Sequence, residues 1–250
     1  INAKPVVNKN FTWTIDYNIA WNKNEITKLN NSDDPNSFVS VGGISGGTNN
    51  KVQAHKVGFP AYTYYLFEQV YDANGKPIEG EFVDQDGNGS IDDNDRVFRH
   101  QKDPKVTMSM SNTFNFKNWD FGFVLRANFG AYVYNNVLSQ RTVLNRTWQN
   151  THLSNMVKND VYFTGETGQN LYLSDYYLRK GDFLRVDNIT LGYTWDNLFK
   201  EKLRLRLYGA VQNPFVITKY NGLDPEVFGG IDNDVYPRPT TYTLGLVATF

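Results

Sequence analysis

A two-residue alternation of apolar and polar side chains recurs along this chain. Between Asn10 and Asn22, the residues Phe11, Trp13, Ile15, Tyr17, Ile19 and Trp21 share one face, and Thr12, Thr14, Asp16, Asn18 and Ala20 share the other. Successive side chains of a β-strand point opposite ways, so this stretch is predicted as a strand. The last stretch repeats the pattern, with Tyr242, Leu244, Leu246, Ala248 and Phe250 alternating with Thr243, Gly245, Val247 and Thr249. A hairpin is predicted over 106–129. Val106, Met108, Met110, Phe114 and Phe116 share a face, Lys117-Asn118 makes a two-residue turn, and Trp119, Phe121, Phe123, Leu125, Ala127 and Phe129 share the matching face. Phe183 to Trp195, Leu203 to Val211 and the less regular Ala61 to Tyr71 bring the count to about seven strands.

Six large apolar residues on one uncharged face would be adhesive in water. Facing lipid, with rings near both ends and Asp or Asn on a wet inner side, they form the pattern of a membrane β-strand. The last strand is about the length that crosses a bilayer at a tilt. The final strand ends on an aromatic ring, as terminal strands of bacterial outer-membrane barrels do. Short connections (117–118 and 196–202) and long polar ones (72–104, 132–181 and 218–239) fall at opposite ends. Outer-membrane barrels have short periplasmic turns and long extracellular loops, so the long connections are assigned outside. Residues 23–57 read as loop, with one short strand near Phe38 to Val41. Counting back from Phe250 places 23–56 on the periplasmic or lumenal side, out of step with the other long connections.

The expected fold is all-β: an antiparallel sheet forming the C-terminal part of a larger transmembrane barrel, since single-chain barrels start at eight strands. Open strand edges in lipid leave unpaired N–H and C=O groups, so such sheets must close. The final strand is therefore expected to pair with 203–211 on one edge and with a barrel strand outside these residues on the other. Asn10 to Asn22 is expected to pair with an upstream strand. The alternative is a soluble or surface β-domain that binds glycan or calcium and packs its apolar faces against a second sheet.

Composition narrows this reading. A length of 250 residues suits one large all-β domain. Tyr 16, Phe 17 and Trp 5 supply enough rings for aromatic girdles. A net charge of -1 gives no basic surface for nucleic acid. Mean hydropathy is -0.52, and no 18-residue apolar run forms a transmembrane helix. Barrel strands hide their apolar residues in alternation, so this leaves the barrel untouched. The absence of cysteine excludes a disulfide framework and a thiol nucleophile. No charged-then-apolar leader stands at Ile1, so any signal peptide is expected outside these residues.

One stretch carries metal-binding spacing. Asp84 to Asp95, DQDGNGSIDDND, fits a twelve-residue calcium loop. Asp84, Asp86 and Asn88 supply oxygens, Gly89 allows the sharp turn, Ser90 offers its carbonyl, and Asp92 and Asp95 complete the set. Structural Ca²⁺ is the expected cofactor. Asp95 is shorter than the usual Glu, and Gly75, Pro77 and Gly80 exclude a preceding helix of the EF-hand kind. The alternative is a loop stabilised by its own Asx turns. Catalysis finds no constellation: His55, His100 and His152 lack ligand spacing, and no nucleophile elbow, zincin motif or glycosidase-like carboxylate pair stands out. Arg126, Arg204 and Arg206 fall on faces away from lipid. Of Tyr132, Tyr134, Trp148, Tyr162, Tyr172, Tyr176 and Tyr177, most are expected to pack their long loops rather than stack on sugars or meet a lid.

Longer motifs point to a family. DFLRVDNITLGYTW, RLYGAVQNPFVITKYNGLDPEV and GGIDNDVYPRPTTYTLGLVATF resemble the C-terminal barrel portion of SusC-type TonB-dependent outer-membrane transporters of the Bacteroidota. FTWTIDYNIAWNKNEITKL, FVDQDGNGSIDDNDRVF and DPKVTMSMSNTFNFKNWDFGFVLRANFGAYVYN match the same family in order and spacing. The resemblance spans most of the chain and is weakest over 30–56 and 140–180. It implies a plugged barrel of 22 strands when complete. It also implies uptake of oligosaccharides or peptides beneath a SusD-like surface lipoprotein, powered by TonB through an N-terminal region that, with the plug and the remaining barrel strands, is not in this sequence.

Overall fold

The computed structural model describes residues 1–250 apart from 30–33, 35, 47–48, 147, 150–151, 154, 199–202 and 234. Seven strands build one antiparallel sheet in chain order: β1 (Asn2–Val7), β2 (Phe11–Trp21), β3 (Val106–Phe116), β4 (Trp119–Phe129), β5 (Phe183–Leu198), β6 (Leu203–Thr218) and β7 (Thr241–Thr249). We call this sheet the wall. Its register aligns the apolar sets. Trp13 faces Phe114 and Tyr17 faces Met110, and Phe121 lies between Phe114 and Leu191. Further on, Leu207 lies between Tyr193 and Leu246. The β3–β4 hairpin turns at Lys117-Asn118, with Lys117 at φ 51°, the left-handed backbone that two-residue hairpin turns demand.

The apolar face of the wall points away from the rest of the molecule. Trp21 is 83% exposed and Leu244 81%. Asn112 interrupts this face between Met110 and Phe114, and its Oδ1 accepts the Trp13 indole N–H at 3.1 Å. Inner-face residues are short or polar: Thr113, Ser111 and Ser109 on β3, and Thr190, Gly192 and Thr194 on β5. In β5 the alternation changes phase at Asp187, an extra residue between Asn188 (opposite Val124) and Val186 (opposite Leu125). Leu184 therefore joins the outward face while Phe183 turns inward and is buried.

Three expectations need correction. Asn10 to Asn22 has its partner inside the chain, because Asn2–Val7 pairs with it through a register shift around Lys4 and Pro5. Proline is tolerated there, at a bulge on an edge strand. Ala61 to Tyr71 is not a wall strand: Thr63–Phe67 is wholly buried in a second sheet. Residues 22–105 are consequently one excursion between β2 and β3, at the same end as 130–182 and 219–240, and 23–56 is no longer out of step. At the other end lie the β1–β2 and β3–β4 turns. Of the connection expected over 196–202, residues 196–198 belong to β5 and 199–202 lie outside the described residues.

The excursions are structured and form a second region, the body. Phe38–Gly43, Lys51–Lys56, Thr63–Phe67 and Arg96–Gln101 make a four-stranded antiparallel sheet. Gln69–Tyr71 pairs with Pro77–Phe82. Tyr132–Asn135 lies between Leu178–Lys180, antiparallel, and Ile231–Asp232, parallel. A core of Tyr64, Leu66, Phe67, Tyr134, Leu138 and Phe163, with the segment Leu171–Leu173 and Tyr176–Leu178, joins the first two excursions. Tyr134, Tyr172, Tyr176 and Tyr177 are buried there as expected, whereas Tyr162 is exposed. The Trp148 side chain lies outside the described residues.

Candidate functional site

The inner face of the wall meets the body through a charge cluster. The bulge at Asp187 presents its carboxylate to Arg126, at 3.0 Å from Nε and 3.3 Å from Nη2, in the forked geometry that suits guanidinium and carboxylate. Arg126 also grips Glu226 with both terminal nitrogens. Arg185, 2% exposed, donates to Asp224 Oδ1 at 2.7 Å and to Asn213 Oδ1 at 2.7 Å. Arg238 reaches Asp224 at 3.3 Å and Glu226 at 3.0 Å. Burial pushes the Glu226 carboxyl up, but the hydrogen bond from Arg126 and the charges of Arg126, Arg238 and Arg185 outweigh it. The group sits below its ordinary value. Three arginines and three carboxylates balance, so the cluster clamps the 219–240 excursion to the wall and leaves no spare charge for a ligand.

The other arginines expected on the inner face are there. Arg206 holds Asp120 across the sheet at 2.5 and 2.9 Å, and Arg204 meets Asp196 at 3.0 Å in an exposed pair.

The same excursion is tied to the body at a glycine pair. Tyr64 Oη lies 2.7 Å from the Gly230 carbonyl and 2.7 Å from that of Tyr132, and Gln53 Nε2 donates to Gly229 O at 2.9 Å. Gly230 has φ +76°, and a Cβ there would stand 2.4 Å from Lys102 Cβ and 2.5 Å from Tyr64 Oη. Only glycine fits this approach.

The acidic loop gathers part of the expected ligand set. Oxygens of Asp84, Asp86 and Asp95 lie within 4.8 Å of one another. Asp84 accepts the backbone N–H of Gly87 at 2.7 Å and of Gly89 at 2.8 Å. The Gly89 contact leads in holding its carboxyl below the usual range. Asp86 takes the Asn88 N–H, and Asn88 Oδ1 takes that of Ser90 at 2.8 Å. Asp95 is fully buried and accepts from Gln85 N at 2.7 Å and Asp92 N at 2.8 Å. Asp92 is not in the cluster, since its Oδ1 caps the turn Asp93–Asp95 through Asn94 N. The Asx turns foreseen as the alternative are therefore present. They leave second lone pairs on each carboxylate oxygen, so hard-cation binding fits the donor chemistry without contest from the turns.

Sequence reasoning passed over a pocket between the body and the wall. It is lined by Phe59, Phe98, His100, Lys105, Tyr132 and Lys180, among others. His100 gave no signal in the sequence because its position follows from a bulge in the body sheet. His55 packs edge-on to Tyr62, with ring centroids 4.5 Å apart, and the His152 side chain lies outside the described residues.

No family model matches the chain. The TonB-dependent receptor SusC of Bacteroides thetaiotaomicron is 48% identical over 263 positions, covering all of this chain and 26% of the receptor. The TonB-dependent receptor P3 of Formosa agariphila is 26% identical, covering all of the chain and 28% of that protein. Among solved structures, the RagAB peptide transporter superposes with a TM-score of 0.74 at 22% identity, over 99% of this chain and 28% of the transporter chain. The chain thus spans about a quarter of the length of the curated relatives it matches, and these carry the names of receptors rather than enzymes. Aligned along its whole length at nearly half identity, and folded as such a segment folds, this chain is a barrel portion of the SusC-type TonB-dependent receptor family.

Proposed function

We propose that this chain forms part of the wall and the mouth of an outer-membrane importer that takes up oligosaccharides or peptides. It would work with a SusD-like surface lipoprotein and draw energy from TonB through parts of the protein outside this sequence. The observation that carries the reading is the outward apolar face that runs across β2 to β7, broken on β3 only by Asn112. It needs lipid, and it comes with polar inner residues and, among the described residues, structured excursions at one end only. In this reading the excursions 22–105, 130–182 and 219–240 are extracellular, and the clamp at Arg126 and Arg185 fixes the last of them to the rim. Uptake of labelled oligosaccharides and oligopeptides by cells carrying the full-length receptor tests the proposal. Uptake should stop when an uncoupler collapses the inner-membrane gradient, and the receptor should leave the membrane only with detergent. Uncoupler-resistant uptake, or release by salt alone, contradicts it.

A structural Ca²⁺ belongs to the same proposal. Asp84, Asp86 and Asp95 would form its nucleus and Asn88 and Ser90 would add oxygens, while Asp92, whose Oδ1 caps the turn, would act through its second oxygen or a water. Oxygen-rich loops of this kind suit calcium. Calorimetric titration of the full-length receptor with calcium should lose about one ion per chain in Asp84→Asn/Asp86→Asn, the count expected of a single such loop. Equal stoichiometry in receptor and variant contradicts the site.

A further inference from the structure

The pocket between body and wall has a volume of about 460 Å³, within the range of small-ligand sites. Two lysines reach it from different regions. Lys105 comes from the chain entering β3. Its stem lies across Gly130, where a Cβ would stand 3.0 Å from Lys105 Cγ. Lys180 comes from the strand Leu178–Lys180. Neither ammonium makes an ion pair with a described residue, whereas neighbouring Arg99 is held by Glu68 at 2.6 Å and Asp175 at 2.8 Å. The carboxylate in the lining, Asp182, accepts the Gly130 N–H at Oδ1, at 2.6 Å.

His100 is built into this pocket at a cost. Thr63 pairs with Gln101 and Tyr64 with Arg99, so His100 is the extra residue of a β-bulge. Its φ is 59°, and its ring stacks on Tyr132 at 3.8 Å and 12°. Bulges re-aim side chains beside sites, and non-glycine residues in the left-handed region concentrate there. Burial, then the charges of Arg99, Lys105 and Lys180, hold the His100 imidazole below its ordinary value. The same field attracts an anion. Phe59 and Phe98, with ring centroids 5.5 Å apart, supply an apolar wall, and Gln101 supplies an amide beside the lysines.

We infer that this pocket binds the carboxylate of an acidic sugar ring. Lys105 and Lys180 meet the carboxylate, and Phe59, backed by Phe98, lies against the C–H face of the ring. A sugar presents an apolar face and a hydroxyl rim, which matches a lining that sets aromatic rings beside hydrogen-bonding groups. The role of this ligand as cargo rests on the importer reading, whereas its binding does not.

The test uses the full-length receptor in detergent, titrated with tri-galacturonate, galactotriose and tri-glutamate. Tri-galacturonate should bind at least about 10-fold tighter than galactotriose, because charge-assisted contacts are lost with the neutral sugar. The advantage should weaken with added salt. Lys105→Gln/Lys180→Gln should remove it, and Lys105→Arg/Lys180→Arg should restore it. Equal binding of the acidic and neutral sugars, or an unchanged affinity in the glutamine variant, overturns the inference. Tri-glutamate binding as tightly as tri-galacturonate overturns the assignment to sugars. The heat-modifiable mobility of a folded barrel, read on the same samples, separates the two readings. Its loss counts against the wall, and lost discrimination with mobility intact counts against the pocket alone.

Discussion

Wall and body arrange their apolar residues in opposite ways. In the body, Tyr64, Phe67, Tyr134 and Tyr177 are essentially fully buried and pack on one another. In the wall, Ile19, Leu207, Phe215 and Leu246 point outward, and buried apolar residues are few, chiefly Ala127, Phe183 and Val186. The body follows the rule of proteins in water, where apolar area is removed from solvent. The wall inverts it, and the inversion is stable only where the outer medium is itself apolar. One chain thus records two solvents, and the boundary between them runs through the clamp of Arg126, Arg185 and Arg238.

The largest expected effect lies in the body. Phe67→Ala removes a ring packed at 5.1 Å from Phe82, and should destabilise the body by about 3–5 kcal/mol, as large-to-small changes in closed cores do. Urea unfolding of the receptor in detergent, followed by hydrogen exchange in 63–67, measures this. A loss below about 1 kcal/mol would mean that this core is not sealed.

A charge on the wall tests the inversion from the other side. Ile15→Arg, on the outward face of β2, should cost about 2–4 kcal/mol at mid-membrane depth. Thr113→Arg, on the inner face of the neighbouring strand β3, should cost about 0–1 kcal/mol, as surface changes do. Reversible folding into vesicles gives both values, and similar costs would break the distinction between the faces.

The boundary itself should respond to acid. The folded pKa of Glu226 lies below that of an unfolded glutamate, about 4.3. Its stabilising contribution is therefore complete above that value and is lost as pH falls through the lower folded value. Hydrogen exchange across 219–240 should accelerate in that acid window, and Glu226→Gln should flatten the dependence. A pH-independent exchange profile would show that the clamp carries no linkage.

The wall was legible in the sequence where alternation is strict and long. β2, the hairpin of β3 and β4, and the final strand could be read residue by residue, because a period of two with bulky rings has no helical reading. β1 was hidden because NAKPVV is short, holds a proline and bears few apolar residues. The phase change in β5 was hidden because Asp187 and Asn188 are both polar, so inserting one leaves the pattern looking intact. The body was the least legible. Its core joins Leu66 and Phe67 to Tyr134 and Tyr177 across long separations, and short strands such as Gln69–Tyr71 carry no period of their own. Of the candidate sites, the acidic loop could be read from local spacing, whereas the pocket at His100 required a bulge, a glycine and three segments to meet.

Site-directed spin labelling tests the two-solvent account most directly, and these 250 residues hold no cysteine that would compete for the label. Labels at positions 11–21, taken one at a time in the full-length receptor in vesicles, should alternate. Odd positions should be open to oxygen and shielded from a water-soluble nickel reagent, and even positions the reverse. Labels on Thr63–Phe67 should be shielded from both. The absence of a two-residue period along β2, or nickel access at Ile15, would contradict a wall that faces lipid.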